Sequence, residues 1–251
     1  MSLSKLFYIV ASLLFPIICH FALAAFITLS PPASASNGGI FSDRFEPPDF
    51  FLDENGVTVR CPEAQLGDQG DINGVLYTKR SREHINTENA STTCTSGMTD
   101  MSGMFEDTHW YFNQPLESWD TSAVTTMRRM FLRAKVFNQP IGSWDTSNVI
   151  NLGGMFNGAR AFNQPLDSWD TSAATNMAHM FYYTRVFNQP LGSWDTSNVI
   201  DMSGMFGLAE GFNQDLSGWC VTLIPTFPPG FTGLPSNWTE PKPVWGTCPD
   251  N

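Results

Sequence analysis

Four aspartates recur at 25-residue intervals, and each is followed by Thr and Ser: Asp120, Asp145, Asp170 and Asp195. Stacked on one face, they would form a ladder of carboxylate and hydroxyl oxygens, which are ligands that Ca²⁺ prefers. Asp-Thr-Ser segments also cap turns, because their side-chain oxygens accept hydrogen bonds from nearby backbone N–H groups. We favour turn capping, since each segment directly precedes an apolar stretch.

A second polar column is made of asparagines with the same spacing. Stacked amide side chains can satisfy backbone groups and one another along the stack. We therefore interpret this column as structural and not as a ligand site. Its members are Asn113, Asn138, Asn163, Asn188 and Asn213.

Basic and aromatic residues occupy positions that vary from one repeat to the next, and this variation predicts a binding strip. Arg and Tyr are enriched among the residues that dominate protein interfaces. The alternative is an ordinary solvated face on which the Arg stems cover apolar surface. The candidate ligand- or partner-binding residues are Arg133, Lys135, Arg160, His179, Tyr182, Tyr183 and Arg185, with Arg128 and Arg129 beside them.

Constellations that would indicate an enzyme are missing from the sequence. Its histidines do not have the spacing of paired metal ligands, as in His-x-x-x-His. There is no Gly-x-Ser-x-Gly segment for a nucleophile and no Gly-Lys loop for phosphate. We expect a protein that is not an enzyme and that has no cofactor and no catalytic or metal site.

A 25-residue repeat positions all these residues. Phe-Asn-Gln-Pro recurs, Trp follows seven residues after the Phe, and a Met-Phe pair closes each unit. A unit this short cannot bury its own core, so it must stack on its copies. The repeated tryptophans are Trp119, Trp144, Trp169, Trp194 and Trp219.

The repeat predicts an α/β solenoid similar to leucine-rich repeats, with short strands joined by short helical or irregular turns. The β-branched, partly alternating stretch at 147–152 predicts a strand. The stretch at 153–159 predicts a short helical turn. Asn73-Gly74, between apolar runs, predicts a hairpin turn in the region before the repeats.

The cysteines predict disulfide-capped ends, since two precede the repeats and two follow them: Cys61, Cys94, Cys220 and Cys248. A bond from Cys220 to Cys248 would hold the Pro-rich tail over the last repeat. The predicted organisation is a signal peptide or N-terminal anchor at 1–35, a linker at 36–55, an N-terminal cap at 56–96, the solenoid at 97–219 and a C-terminal cap at 220–251.

The unit Met-Phe…Phe-Asn-Gln-Pro-Leu-x-x-Trp-Asp-Thr-Ser-x-Val-x-x-Met resembles the BspA-type leucine-rich-repeat surface proteins. The resemblance covers about residues 56–249, including the flanking segments 55–62 and 242–249. It implies a leucine-rich-repeat-like solenoid that is exported and displayed at a cell surface. It also implies adhesion to host or matrix proteins as one role within the family, and it supplies no catalytic residues.

The N-terminal segment and the net charge limit the cellular location and the partners that the protein can be expected to have. Lys5 followed by an apolar run at 6–29 is typical of a signal peptide, with a retained anchor as the alternative. A formal net charge of −11 disfavours nucleic acid as a partner. We expect a secreted or cell-surface module that binds extracellular protein or glycan and contacts a membrane only through a retained N-terminal segment.

Self-association into a coat or matrix is the alternative function. The contacts would come from exposed aromatic side chains in the tail, at Phe227, Phe231, Trp238 and Trp245.

Overall fold

The computed structural model describes residues 49–233 and 237–249. The segment 1–35 and most of the linker expected at 36–55 lie outside the described residues. Within the described ranges, no helix is long and apolar enough to cross a membrane.

The described residues before the repeats form five short strands and two 3₁₀ helices. The strands are β1 (Phe51–Leu52), β2 (Val59–Arg60), β3 (Gln69–Ile72), β4 (Val75–Lys79) and β5 (Thr93–Cys94), and the 3₁₀ helices are Arg82–His84 and Ala90–Thr92. Strand β1 pairs with β2 in one antiparallel sheet, while β4 pairs antiparallel with β3 and parallel with β5 in a second sheet.

The hairpin turn predicted at Asn73-Gly74 is confirmed. These two residues connect β3 to β4, with φ angles of 55° and 83°. Positive φ at both central residues is the requirement of a type I′ turn, which Asn-Gly meets at little cost. Part of the expected linker belongs to this region as well, because Phe50 is buried and residues 51–52 form β1.

From residue 100 the chain forms coils that are joined by one parallel bridge each. Asp100 pairs with Thr126, Thr126 with Asn151, Asn151 with Asn176, and Asn176 with Asp201. We number the coils from these bridge residues: coil 1 is 100–125, coil 2 is 126–150, coil 3 is 151–175, coil 4 is 176–200, and coil 5 begins at 201. Coil 1 holds the one extra residue, between Phe105 and Phe112.

The strand predicted at 147–152 is a single bridge residue, Asn151, and the helical turn predicted at 153–159 is not a helix. In coil 3, Gly154 and Gly158 have φ angles of 66° and 73°, and these positive angles lie outside the range of a right-handed helix. Alternate N–H groups bond to the next coil, as from Phe156 to the Met180 carbonyl. The intervening N–H groups close turns within the coil.

The core is built of phenylalanine columns in which like residues stack on like. The ring centroids in the Met-Phe column are 5.6–5.7 Å apart, and those in the Phe-Asn-Gln column are 5.7–6.0 Å apart. Within a coil the two rings lie 3.9–4.2 Å apart. All ten are almost completely buried: Phe105, Phe112, Phe131, Phe137, Phe156, Phe162, Phe181, Phe187, Phe206 and Phe212.

Polar groups next to this core are satisfied by the neighbouring coil. The indole N–H of Trp169 donates to the Ile141 carbonyl at 3.0 Å, and Trp144, Trp194 and Trp219 donate to the preceding coil in the same way. Trp119, in coil 1, donates to the Ala90 carbonyl of the N-terminal cap. The buried Thr146 hydroxyl donates to the Asp170 carbonyl at 2.8 Å. Each coil is therefore incomplete without its neighbour.

The C-terminal cap ends the aromatic stack by changing the geometry of the contacts. Phe231 meets Phe206 edge-on at 84°, and Trp238 meets Phe212 at 89°. The expectation that these two aromatic residues are exposed is wrong, because Phe231 and Trp238 cover the last coil and are buried. Trp245 is half-buried, and Phe227 is exposed as expected.

Two disulfide bonds tie the ends. Cys61 is bonded to Cys94 across the N-terminal cap, and Cys220 is bonded to Cys248 across the C-terminal cap. The backbone N–H of Val221 also donates to the Thr247 carbonyl, which holds the tail against coil 5.

We expect Trp169→Phe to lower the free energy of unfolding by about 2–3 kcal/mol, through the lost indole bond and the smaller ring. Trp110→Phe is the matched control, because Trp110 is 66% exposed, and its effect should stay within about 0.5 kcal/mol. Denaturant unfolding followed by circular dichroism measures both. Equal effects at the two positions would contradict the role given to the stacked indole.

We expect Cys220→Ala/Cys248→Ala to destabilise the protein by about 3 kcal/mol, since the bond closes a loop with a sequence separation of 28 residues. Urea unfolding midpoints of the oxidised proteins provide the measurement. Cys61→Ala/Cys94→Ala, which opens a loop of similar separation, 33 residues, should have a similar effect. An unchanged midpoint for both variants would exclude a stabilising role for the two disulfide bonds.

Candidate binding face

The aspartate column caps turns, as the sequence predicted. Asp170 Oδ1 accepts hydrogen bonds from the Ser172 hydroxyl at 2.6 Å and from the Ser172 backbone N–H at 2.9 Å. These bonds, the hydroxyl first, hold the pKa of the Asp170 carboxyl below its usual value. Asp145 makes the same pair of bonds to Ser147.

The first aspartate of the column differs from the others. Asp120 is buried and accepts hydrogen bonds from Arg60 and from the Ser96 hydroxyl. Arg60 is also paired with Asp53, and its guanidinium holds the pKa of the Asp53 carboxyl below the usual value. This network attaches the N-terminal cap to coil 1.

The asparagine column forms the predicted ladder. Each of the first four side-chain oxygens accepts the backbone N–H of the next asparagine at 2.8–2.9 Å, and that of Asn213 accepts the Thr239 N–H of the C-terminal cap. The ladder is only partly buried, so it lies along an edge of the stack and not inside the core. Gln164 and Gln189 reinforce it by donating to the same asparagines.

The predicted binding residues lie on the outer side of the turns that contain the Met-Phe pairs. In coil 2, Met130 N–H donates to the Met127 carbonyl, and the third residue of that turn, Arg129, has a φ of 58°. The equivalent residue in coil 4 is His179, with a φ of 57°. In coils 1, 3 and 5 the same position is glycine, at Gly103, Gly154 and Gly204.

A second left-handed position follows four residues later. It holds Arg133 in coil 2 and Tyr183 in coil 4, both with a φ of 58°, and Gly158 in coil 3. We call the outer surface of coils 2 to 4 the basic face, defined by Arg128, Arg129, Arg133, Lys135, Arg160, His179, Tyr182, Tyr183 and Arg185.

The structure brings three of the predicted residues together. The ring of Tyr183 lies 4.5 Å from the Arg160 guanidinium and 4.6 Å from that of Arg185. Arg185 also donates to the Tyr183 hydroxyl at 2.7 Å. The contacts fix a rigid basic-aromatic cluster that spans coils 3 and 4.

The remaining predicted residues have other neighbours. Arg133 forms an ion pair with Asp107 of coil 1, and Lys135 lies over the Trp110 ring at 4.4 Å. The rings of His179 and Tyr182 are 5.6 Å apart. The predicted residues of coil 2 therefore contact coil 1, whereas His179 and Tyr182 contact each other.

One feature of the face was not found from the sequence. A notch of about 370 Å³ lies between Arg128-Arg129 of coil 2 and His179 of coil 4, over Gly153 and Gly154 of coil 3. The signal was present as a Gly-Gly pair in one repeat where the flanking repeats have larger residues. In the described part of the chain, no group of three or more His, Cys, Asp or Glu could hold a metal ion.

A family model described as "Mycoplasma protein of unknown function, DUF285" matches residues 76–184 and again residues 166–232. The chain belongs to this family. The two matches together run from β4 to the C-terminal cap and include the whole basic face. Searches of the curated proteins and of the solved structures gave no match.

The capping bonds predict a specific pH dependence. Because the folded-state pKa of Asp170 is lowered, its contribution to stability is present above its ordinary pKa, about 3.9, and is lost as the pH falls through the folded value. Asp170→Asn keeps the oxygen acceptor, and it should lose less stability than the wild type between about pH 5 and pH 2.

Asp170→Ala removes the acceptor and should cost about 1 kcal/mol at pH 7. Denaturant midpoints measured across this pH range compare the three proteins. A parallel pH dependence in the wild type and Asp170→Asn would show that this carboxylate does not contribute.

Proposed function

We propose that the chain is an exported, BspA-type, leucine-rich-repeat-like solenoid that binds an extracellular protein or glycan through the basic face. The two disulfide bonds support an oxidising location. The stacked coils and the ladders between them support a repeat scaffold whose core residues are uniform.

The backbone of the basic face is the observation that carries the proposal. Arg129 and His179 have left-handed conformations that cost about 1–2 kcal/mol for a residue other than glycine. Three other coils use glycine at this position, so the fold does not require a side chain there. Side chains that are present at a cost to stability are typical of functional positions.

The chemistry of the face supports recognition. Arg and Tyr are the types that dominate binding energies at interfaces, and here they form a preformed cluster around Tyr183. A rigid cluster loses little side-chain entropy when a partner binds. The buried aromatic positions, by contrast, hold the same Phe or Trp in every coil.

The test is a panel of extracellular matrix proteins and glycans, probed with the full-length, disulfide-bonded chain. We expect Arg160→Gln/Arg185→Gln to weaken binding to a panel member by at least about tenfold, since two hot-spot cations are lost. The control is Ser143→Asp/Gly192→Asp, which changes the net charge equally on the segment between Pro and Trp. If the two variants bound the panel member with equal affinity, the basic face would be rejected as the binding surface.

The alternative, a structural component that self-associates, is favoured by one observation. Leu223, Phe227 and Val244 expose apolar surface around the C-terminal cap. Light scattering over a range of concentrations separates the two functions. A monomer supports the binding module, whereas an oligomer that Phe227→Ser/Val244→Ser dissociates would support the coat.

A further inference from the structure

We infer that the notch between coils 2 and 4 binds the carboxylate-bearing ring of an acidic saccharide. The inference rests on the proposed function, because it assigns a ligand class to part of the basic face. It depends on four features of the notch: its shape, its free cations, its free amides and its size.

The shape of the notch comes from two glycines. A Cβ atom on Gly153 would lie 2.9 Å from Asn176 Oδ1, and one on Gly154 would lie 3.3 Å from Arg129 Cγ. Coil 3 therefore presents bare backbone where coil 2 presents Arg128 and Arg129. The side chains of the flanking coils become the walls, and the glycines form the floor.

The two cations of the notch, Arg128 and Arg129, are not neutralised by the described residues. Two other arginines of the basic face are paired, Arg133 with Asp107 and Arg185 with Glu210. Arg128 and Arg129 are both exposed, and within the described residues neither has a carboxylate within 4.0 Å. Two adjacent guanidinium groups offer the paired donors that bind a carboxylate in a bidentate way.

This local charge contrasts with the rest of the molecule. The chain has a formal net charge of −11, yet six of its 13 basic residues lie between 128 and 185. The described residues that line the notch include no Asp or Glu. A general attraction to anions is not expected of so acidic a protein, so an anionic ligand must be recognised here by local contacts.

Two amide side chains favour a sugar over a simple anion. Asn176 lines the notch, its Oδ1 accepts the Ala178 N–H at 3.0 Å, and no described group accepts from its amide N–H groups. The Asn157 side chain also lines the notch, and no group among the described residues bonds to it. Amides that both donate and accept match the hydroxyls of a saccharide.

The size of the notch sets the extent of the ligand. About 370 Å³ is near the lower limit for small-molecule sites. The exposed His179 forms the far wall, and its ring leans over Gly204 of coil 5 and not into the notch. A single ring that bears one carboxylate and several hydroxyls fits this volume, and the open top leaves room for the chain to continue.

The test uses calorimetric titration of the full-length chain with oligogalacturonate, in the presence of EDTA to exclude calcium-mediated binding. A neutral galactan oligomer of the same length is the ligand control. We expect binding of oligogalacturonate that weakens as salt rises and no binding of the neutral oligomer. Absence of oligogalacturonate binding, or equal binding of both oligomers, would overturn the inference.

The variant Arg128→Ser/Arg129→Gly removes the cations with residues that the chain already uses. Coils 1 and 5 have Ser-Gly at this position, as Ser102-Gly103 and Ser203-Gly204. The variant should fold with an unfolding midpoint no lower than that of the wild type, since glycine relieves the left-handed conformation. We expect at least tenfold weaker binding of oligogalacturonate.

The control Ser143→Asp/Gly192→Asp has the same net charge as this variant, and it should bind oligogalacturonate like the wild type. An equal loss of affinity in both variants would show that binding depends on net charge, and it would overturn the assignment of the notch as the binding site. Failure of this inference is distinct from failure of the proposed function. Unchanged binding of oligogalacturonate by the notch variant would reject the notch, whereas binding of a partner that depends on Arg160 and Arg185 would still support the basic face.

Discussion

The register of 25 residues is the constraint on which the rest of the structure depends. Each coil has buried polar groups whose hydrogen-bond partners are backbone carbonyls of the neighbouring coil. The Trp169 indole donates to the coil before it, and the Thr146 hydroxyl donates to the coil after it. An unpaired buried polar group costs about 1–3 kcal/mol. A shift of register would expose the stack to that cost in every coil.

The same register separates the core from the face. Phenylalanines and tryptophans recur in the interior of every coil, and the other buried positions change only among small and aliphatic residues and Thr184. The Met-Phe turns satisfy their backbone through bonds to the next coil and within the turn. Their outward side chains take no part in those bonds, which is why Arg129, Gly154 and His179 occupy one backbone position.

The sequence predicts which residues are buried better than it predicts the backbone that buries them. Period and composition identified the aromatic columns and the asparagine ladder, because both depend only on stacking like residues. They also identified the Asp170 cap, because it depends only on Ser172, two residues further along the chain. The strand at 147–152 and the helix at 153–159 were wrong, since short apolar runs fit several conformations. Left-handed turns had one visible sign, the glycines at 103, 154 and 204.

The sequence predicted only part of the candidate site, because it shows which positions vary and not how the backbone arranges them. Variable positions identify an outer surface, and this was enough to select Arg160, Tyr183 and Arg185. The notch depends on side chains that are missing in coil 3 and on the lean of Arg129 toward Gly154, and both require coordinates. The burial of Phe231 and Trp238 also depends on the open end of the stack, which no local pattern in the tail describes.

The extra residue of coil 1 shows how such a chain can change its length. It lies beside Trp110 and Tyr111, which project into solvent, while the bonds from Phe105 to coil 2 and from Asn138 back to Asn113 keep their register. The extra residue is absorbed at this corner, whereas a single residue inserted between the bonded positions of a coil would break the 25-residue register. Tandem duplication of complete units, with the two caps left in place, is therefore the route by which this architecture can grow.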